Sequence, residues 1–178
     1  MKNFKMDQFG DLSEMNYAKE YQALHDQSPK IFSGNLSEQT VRTVAGLCRV
    51  HSPYRLLDYG SGKGYQYLAR RVHESWGNIL PVCYDPGVRQ LRTRPEGMFD
   101  GVICTDVMEH IEPGDVDKIL DDIFSFVHHG KFAFFNICTR PSFKTLPDGR
   151  GVHLTVEPPE WWEEKLDRFT RKWDVVAT

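Results

Sequence analysis

The sequence predicts an α/β fold in which a mostly parallel central sheet lies between two layers of helices. Three observations predict it. Short apolar runs alternate with segments of helical period, a glycine-rich turn follows the first such run, and an acidic residue closes the second.

A chain of 178 residues is long enough to bury one substantial core, and 40% apolar with 26% charged residues is ordinary globular chemistry. The net charge of −3 gives no overall field that would gather nucleic-acid phosphates or an anionic membrane. Met1 to Asp11 has no uninterrupted apolar run of the kind a signal peptide needs, and no later run approaches membrane-spanning length, so a cytoplasmic location is expected. Cys48, Cys83, Cys104 and Cys138 lie in apolar segments without CxxC or zinc spacing, which predicts buried, reduced thiols and no metal site.

Two helices are expected before the first strand. The second runs from Asn35, read as an N-cap with Glu38 at N3, to Val50, and Val41, Val44, Ala45 and Cys48 form its apolar stripe. Tyr54 to Asp58 is the first strand, Tyr65 to Trp76 the helix after the glycine turn, and Ile79 to Asp85 the second strand, stopped by Pro86 and Gly87. Between Asp85 and Phe99, Val88 to Thr93 leaves room for at most a short edge strand. Phe99 to Thr105 is the next buried strand. The clearest helix follows, with Val116, Ile119, Leu120, Ile123, Phe124 and Val127 on one face and His128-His129 expected at its C-terminus. Lys131 to Cys138 is a further strand, Arg140 to Thr155 a long polar loop, Glu160 to Phe169 a helix, and Trp173 to Val176 the last strand.

Glycine at 60, 62 and 64 allows a sharp turn and lets a ligand approach the peptide units directly. Asp85 stands roughly 20 residues further on at a strand end, where a carboxylate can accept both hydroxyls of a ribose. Together they describe an adenosine site. A nicotinamide-type G-x-G-x-x-G would need its third glycine where Tyr65 stands, so the register is a different one.

Asp58 followed by Gly60-Ser61-Gly62-Lys63-Gly64, the acidic Asp85, and the segment Phe99 to Ile111 resemble, in that order, the motifs of the class I S-adenosylmethionine-dependent methyltransferases. That resemblance implies a Rossmann-like αβα sandwich, S-adenosylmethionine as cofactor and S-adenosylhomocysteine as product. It spans Leu36 to Cys138 and implies roles for individual residues. The Gly60 to Gly64 loop, with Ser61 and Tyr65, would line the methionine and ribose portions, with Asp58 beneath it near the ammonium. Asp85, with Pro86 beside it, would hold the ribose. Asp106 and Val107 would border the methyl-transfer end or the adenine edge, and Glu109-His110 would sit in the turn beyond; apart from the resemblance, Tyr17 and Tyr21 on one helix face would close the pocket or simply pack the N-terminal helix. The chain is then one methyltransferase domain over 1–178. Residues 1–53 give N-terminal helices covering the sheet, 54–139 the cofactor-binding core, and 140–178 the acceptor-side loop, helix and last strand. Two departures stand out: a shortened third-strand region, and a short C-terminal stretch from Lys172 to Thr178 where the family usually has two further strands.

The expected acceptor is an oxygen or nitrogen of a small polar molecule. If it is a hydroxyl, a base is needed, and His153 in the loop after the penultimate strand is the first candidate, with Asp106 and His110 as the other catalytic groups. His153 could equally hydrogen-bond a backbone carbonyl, and His110 could cap a turn. Glu112, Asp115, Asp117, Asp121 and Asp122 lack calcium-loop spacing and read as a solvated face. Trp161 or Trp162 could wall an acceptor pocket, with at least one in the core, and Tyr17 and Tyr21 share a helix face. A catalytically inactive S-adenosylmethionine-binding partner subunit, a nicotinamide oxidoreductase and a nucleic-acid methyltransferase are the alternatives; the last lacks a basic stripe.

Overall fold

In the computed structural model, which describes residues 10–27 and 33–178, five segments pair as strands: β1 Leu56–Tyr59, β2 Val82–Tyr84, β3 Phe99–Thr105, β4 Val127–Asn136 and β5 Asp174–Ala177. Every neighbouring pair is parallel and the order is β2-β1-β3-β4-β5. Five α-helices accompany them: α1 Asn16–Gln27, α2 Glu38–His51, α3 Tyr65–Leu68, α4 Val116–Ser125 and α5 Pro159–Thr170. The expected α/β fold with a Rossmann-like parallel sheet is what forms. The stretch read for a signal peptide lies, from Met1 to Phe9, outside the described residues. Among the described residues no helix is long and apolar enough to cross a membrane.

The alternation of strand side chains sorts the core into two layers. Leu57, Tyr59, Val102, Cys104, Ala133 and Phe135 pack with α1, α4 and α5 on one face, where the rings of Phe124 and Phe169 stack with centroids 3.8 Å apart. Leu56, Ile103, Phe132 and Phe134 pack on the other against α2 and a 3-10 helix, Val72–Trp76. These central strands are buried on both faces, which is why they read as continuous apolar runs.

Several expectations need correction. The N-cap of α2 is Ser37, whose hydroxyl accepts from Thr40 N–H; Asn35 instead accepts from Arg70. The helix expected over Tyr65 to Trp76 stops at Leu68 and resumes as the 3-10 turn, with Arg71 left-handed between them. Ala69, Arg70 and Arg71 bring little apolar surface to the core, and the break lets Trp76 reach α2, where its indole N–H donates to Val41 O. β1 begins at Leu56, leaving Tyr54 exposed, and β2 is cut to three residues. No strand forms between Asp85 and Phe99, where turns run through Val88 to Thr93 and leave β2 at the sheet edge.

His128 and His129 are not at a helix end. α4 ends at Ser125, and β4 has already begun at Val127, so both histidines stand on a strand, with a register irregularity opposite Phe99 and Gly101. Val127 is buried as its place in the stripe requires, but on the strand. Asp122 is not solvated: it is fully buried, accepting from Tyr59 Oη at 2.9 Å and from Arg94 at 2.7 Å. All four cysteines are free, but only Cys48 and Cys104 are buried; Cys83 and Cys138 are half-buried.

Candidate functional site

Because all five strands run the same way, the turns after β1, β2 and β3 leave the sheet at one edge, and a cavity of about 580 Å³ opens there. Its floor is the glycine turn. Gly60 N–H and Ser61 N–H both reach Tyr84 O, at 2.7 and 3.2 Å, which pins the turn to the end of β2. Gly60 has φ +78°, and a Cβ there would overlap Cγ2 of Val107, so the turn after β3 rests directly on the turn after β1.

Asp85 joins the same construction. Its Oδ2 accepts from Gly62 N–H at 2.8 Å and its Oδ1 from Gly87 N–H at 2.9 Å. Each carboxylate oxygen has room for a second donor, so both remain usable by a diol in the cavity. Burial lifts this carboxyl to about 6, and the two backbone N–H groups pull it back.

Asp58 lies beneath the turn, 1% exposed, and does not line the cavity. Its Oδ2 accepts from Gln66 Nε2 at 2.9 Å and Tyr67 Oη at 2.7 Å, while Oδ1 is buried without a partner. Burial pushes it up to about 7. Gln66, which does line the cavity, also donates to Ser61 O, so Asp58 acts on the site through Gln66. Gly64 and Tyr65 stand off the cavity as well. Gly64, at φ +69°, starts α3, and Tyr65 sends its N–H to Ser33 O while its ring faces solvent. Gly60, Ser61, Gly62, Asp85, Pro86, Asp106, Val107 and Tyr21 all line the cavity.

The opposite wall carries the candidate acceptor-side groups. Asp106 holds a left-handed backbone at φ 55°, which its N–H to Asn136 O (2.8 Å) and its Oδ1 accepting from Asn136 Nδ2 (2.7 Å) sustain. Asp is one of the few non-glycine residue types that adopt this conformation readily. His153 Nδ1 donates to Arg140 O at 2.6 Å, which fixes the tautomer and leaves Nε2 as an acceptor. His110 stands edge-on to His153, with ring centroids 5.0 Å apart. Its Nδ1 lies 2.7 Å from Val152 O, the carbonyl that also accepts from Tyr21 Oη, and burial holds it near 4. His110 is therefore a neutral brace between α1 and the loop at ordinary pH.

No family model and no curated protein sequence matches this chain.

Sequence reasoning missed Gln66, Glu109, Cys138, Ser142 and Lys144, all of which line the cavity. Glu109, expected only in the turn beyond, is buried in the 3-10 helix Met108–His110, accepts from Cys138 N–H through Oε1, and leaves Oε2 unpartnered. Burial pushes it up to about 8. Only its neighbour in sequence, Asp106, could have drawn attention to it. The tryptophans do not wall the cavity. Trp162 is core, and Trp161 packs edge-on against it beside Lys165.

Proposed function

We propose that the chain binds S-adenosylmethionine in this cavity and transfers its methyl group to an oxygen or nitrogen of a small polar acceptor. The observation that carries the reading is Asp85. A carboxylate held between the amides of the glycine turn and of the turn after β2 has both oxygens fixed at one end of a cavity floored by bare peptide. That is what a ribose diol requires, and the resemblance of the ordered motifs supplies the rest of the cofactor.

The surroundings favour a sulfonium. Asp85, Asp106 and Glu109 line the cavity, with Asp58 below it; burial favours the neutral form of each, and a cation entering there would draw their protons off and gain the charge opposite it. S-adenosylmethionine, when bound, would supply a methyl group on a good leaving group for in-line attack by the acceptor oxygen, with S-adenosylhomocysteine as the other product. Nε2 of His153, where no metal occupies it, would accept the hydroxyl proton. Positioning supplies much of the rate, since the leaving group is already good.

Calorimetry tests the cofactor assignment. Asp85→Ala is expected to weaken S-adenosylmethionine binding at least about tenfold, because charge-assisted hydrogen bonds are worth about 1.5 to 3 kcal/mol each. A folded variant with unchanged affinity, or wild-type protein that binds no S-adenosylmethionine, overturns the reading.

A further inference from the structure

The geometry points to a divalent-metal site of the zinc class on the acceptor side of the cavity, held by Glu109, Cys138 and His153. One ligand atom from each residue, a carboxylate oxygen, Sγ and an imidazole nitrogen, lies within 4.8 Å of the others. Ligands of a tetrahedral zinc stand roughly 3.3 to 3.7 Å apart, from zinc bonds of about 2.0 to 2.3 Å. Small side-chain rotations close that gap.

Two further observations single this cluster out. Glu109 is 1% exposed, yet its Oε2 has no hydrogen-bond partner, while Oε1 is held by Cys138 N–H at 3.2 Å. An orphaned buried carboxylate oxygen is costly unless something fills its place, and a cation does so directly. His153 is also set as metal-binding histidines are set: its Nδ1–H donates to the Arg140 carbonyl, so Nε2 carries the lone pair. The scaffold is rigid as well. Glu109 O accepts from both Leu154 and Thr155 N–H, at 2.8 and 3.0 Å, which ties the strand-like end of the loop to the helix bearing the carboxylate.

A thiolate, an imidazole and a carboxylate are the donor set of zinc rather than of magnesium or calcium. Binding releases the protons of the Cys138 thiol and of the Glu109 carboxyl to solvent. Three protein ligands leave a fourth position, and since all three residues line the cavity, that position opens onto it. The site goes beyond the methyl-transfer reading and does not depend on it. The two meet at one atom: metal on Nε2 and proton acceptance by Nε2 of His153 exclude each other.

The test uses the full chain stripped with chelator, without S-adenosylmethionine, titrated with Zn²⁺ and, as a spectroscopic probe, Co²⁺. Stoichiometric binding with a thiolate-to-cobalt charge-transfer band in the near ultraviolet is expected. Cys138→Ser should abolish the band and weaken Zn²⁺ binding by at least about 10- to 100-fold, a loss that even outer-shell changes reach. Glu109→Gln should keep a weaker-binding thiolate band, with folding checked by circular dichroism. Absence of the band in folded wild type, or Zn²⁺ affinity unchanged in Cys138→Ser, overturns the proposal. S-adenosylmethionine calorimetry on the same preparation reports separately on the cofactor reading.

Discussion

Asp58 is closed off from water beneath the glycine turn, and its carboxyl is lifted from an ordinary value near 3.8 to about 7. Between those two values the folded protein holds a proton that the unfolded chain has released. The resulting stabilisation is complete at low pH and is lost as pH rises through about 7. Asp85 works in the same direction over a narrower span, ending near 6. The consequence is that these two carboxyls withdraw stability as pH rises toward 7, while His110, held near 4, adds stability as pH rises from there to its ordinary 6.5. Asp58→Asn, whose side-chain carbonyl can still accept from Gln66 and Tyr67, is expected to raise the urea midpoint at pH 8, by up to about 4 kcal/mol of stability. The variant and wild type should converge toward pH 4. A gap that is the same at both values would mean that Asp58 does not carry the cost. Of the residues at this scale, those marked by short-range spacing were legible: the glycines, Asp58 and Asp85 belong to two strand ends whose composition announces them. Cys138 and Glu109 were not, because each reads as ordinary core or turn until β4 and the 3-10 helix bring them together.

At the scale of elements, the turns matter more than the helices. The turn after β1 and the turn after β3 are in contact through Gly60 and Val107, so the backbone at one fixes the side chain at the other. Gly60 and Gly64 share a left-handed φ, but only at Gly60 would a Cβ overlap a neighbour; at Gly64 it would meet Cys83 Sγ at an ordinary 3.4 Å. Both substitutions to alanine bear conformational strain of about 1 kcal/mol or more. Gly60→Ala should cost more in urea denaturation and should weaken S-adenosylmethionine binding, whereas Gly64→Ala should leave binding near wild type. Equal effects at the two positions would separate the cavity floor from Gly60. Local pattern revealed β3 and α5 almost to the residue, and the start of α4 though not its end, since each carries a regular set of apolar positions. It failed where tertiary geometry decides: at the break after Leu68, at β4 beginning as soon as α4 ends, and at Asp122, turned inward to meet Arg94 and Tyr59.

On the scale of the whole molecule, the cavity is closed by two segments far apart in the chain, α1 and the loop from Ile137 to Pro158. Two sets of contacts join them. Arg150 pairs with Glu20 on α1, and also with Glu112 and Asp148, but its side chain is 45% exposed, and exposed pairs contribute little and fade with salt. Tyr21 is better placed. Its hydroxyl donates to Val152 O, its ring stands edge-on to His110 at 5.2 Å between centroids, and Val152 and Leu146 pack with Leu24 beneath. Buried apolar contact plus a shielded hydrogen bond outweighs screened charge, so the attachment should survive high salt. Tyr21→Phe keeps the ring and removes the hydroxyl, at an expected cost of about 0.5 to 1.5 kcal/mol. Hydrogen exchange should then quicken at the loop amides of Leu146, Val152 and Leu154, which bond within the loop and to Glu109, while β3 and β4 stay protected. Raising the salt on wild type should move those amides less than the substitution does. If salt frees the loop and Tyr21→Phe does not, Arg150 rather than Tyr21 closes the cavity, and His153 is held in place by charge.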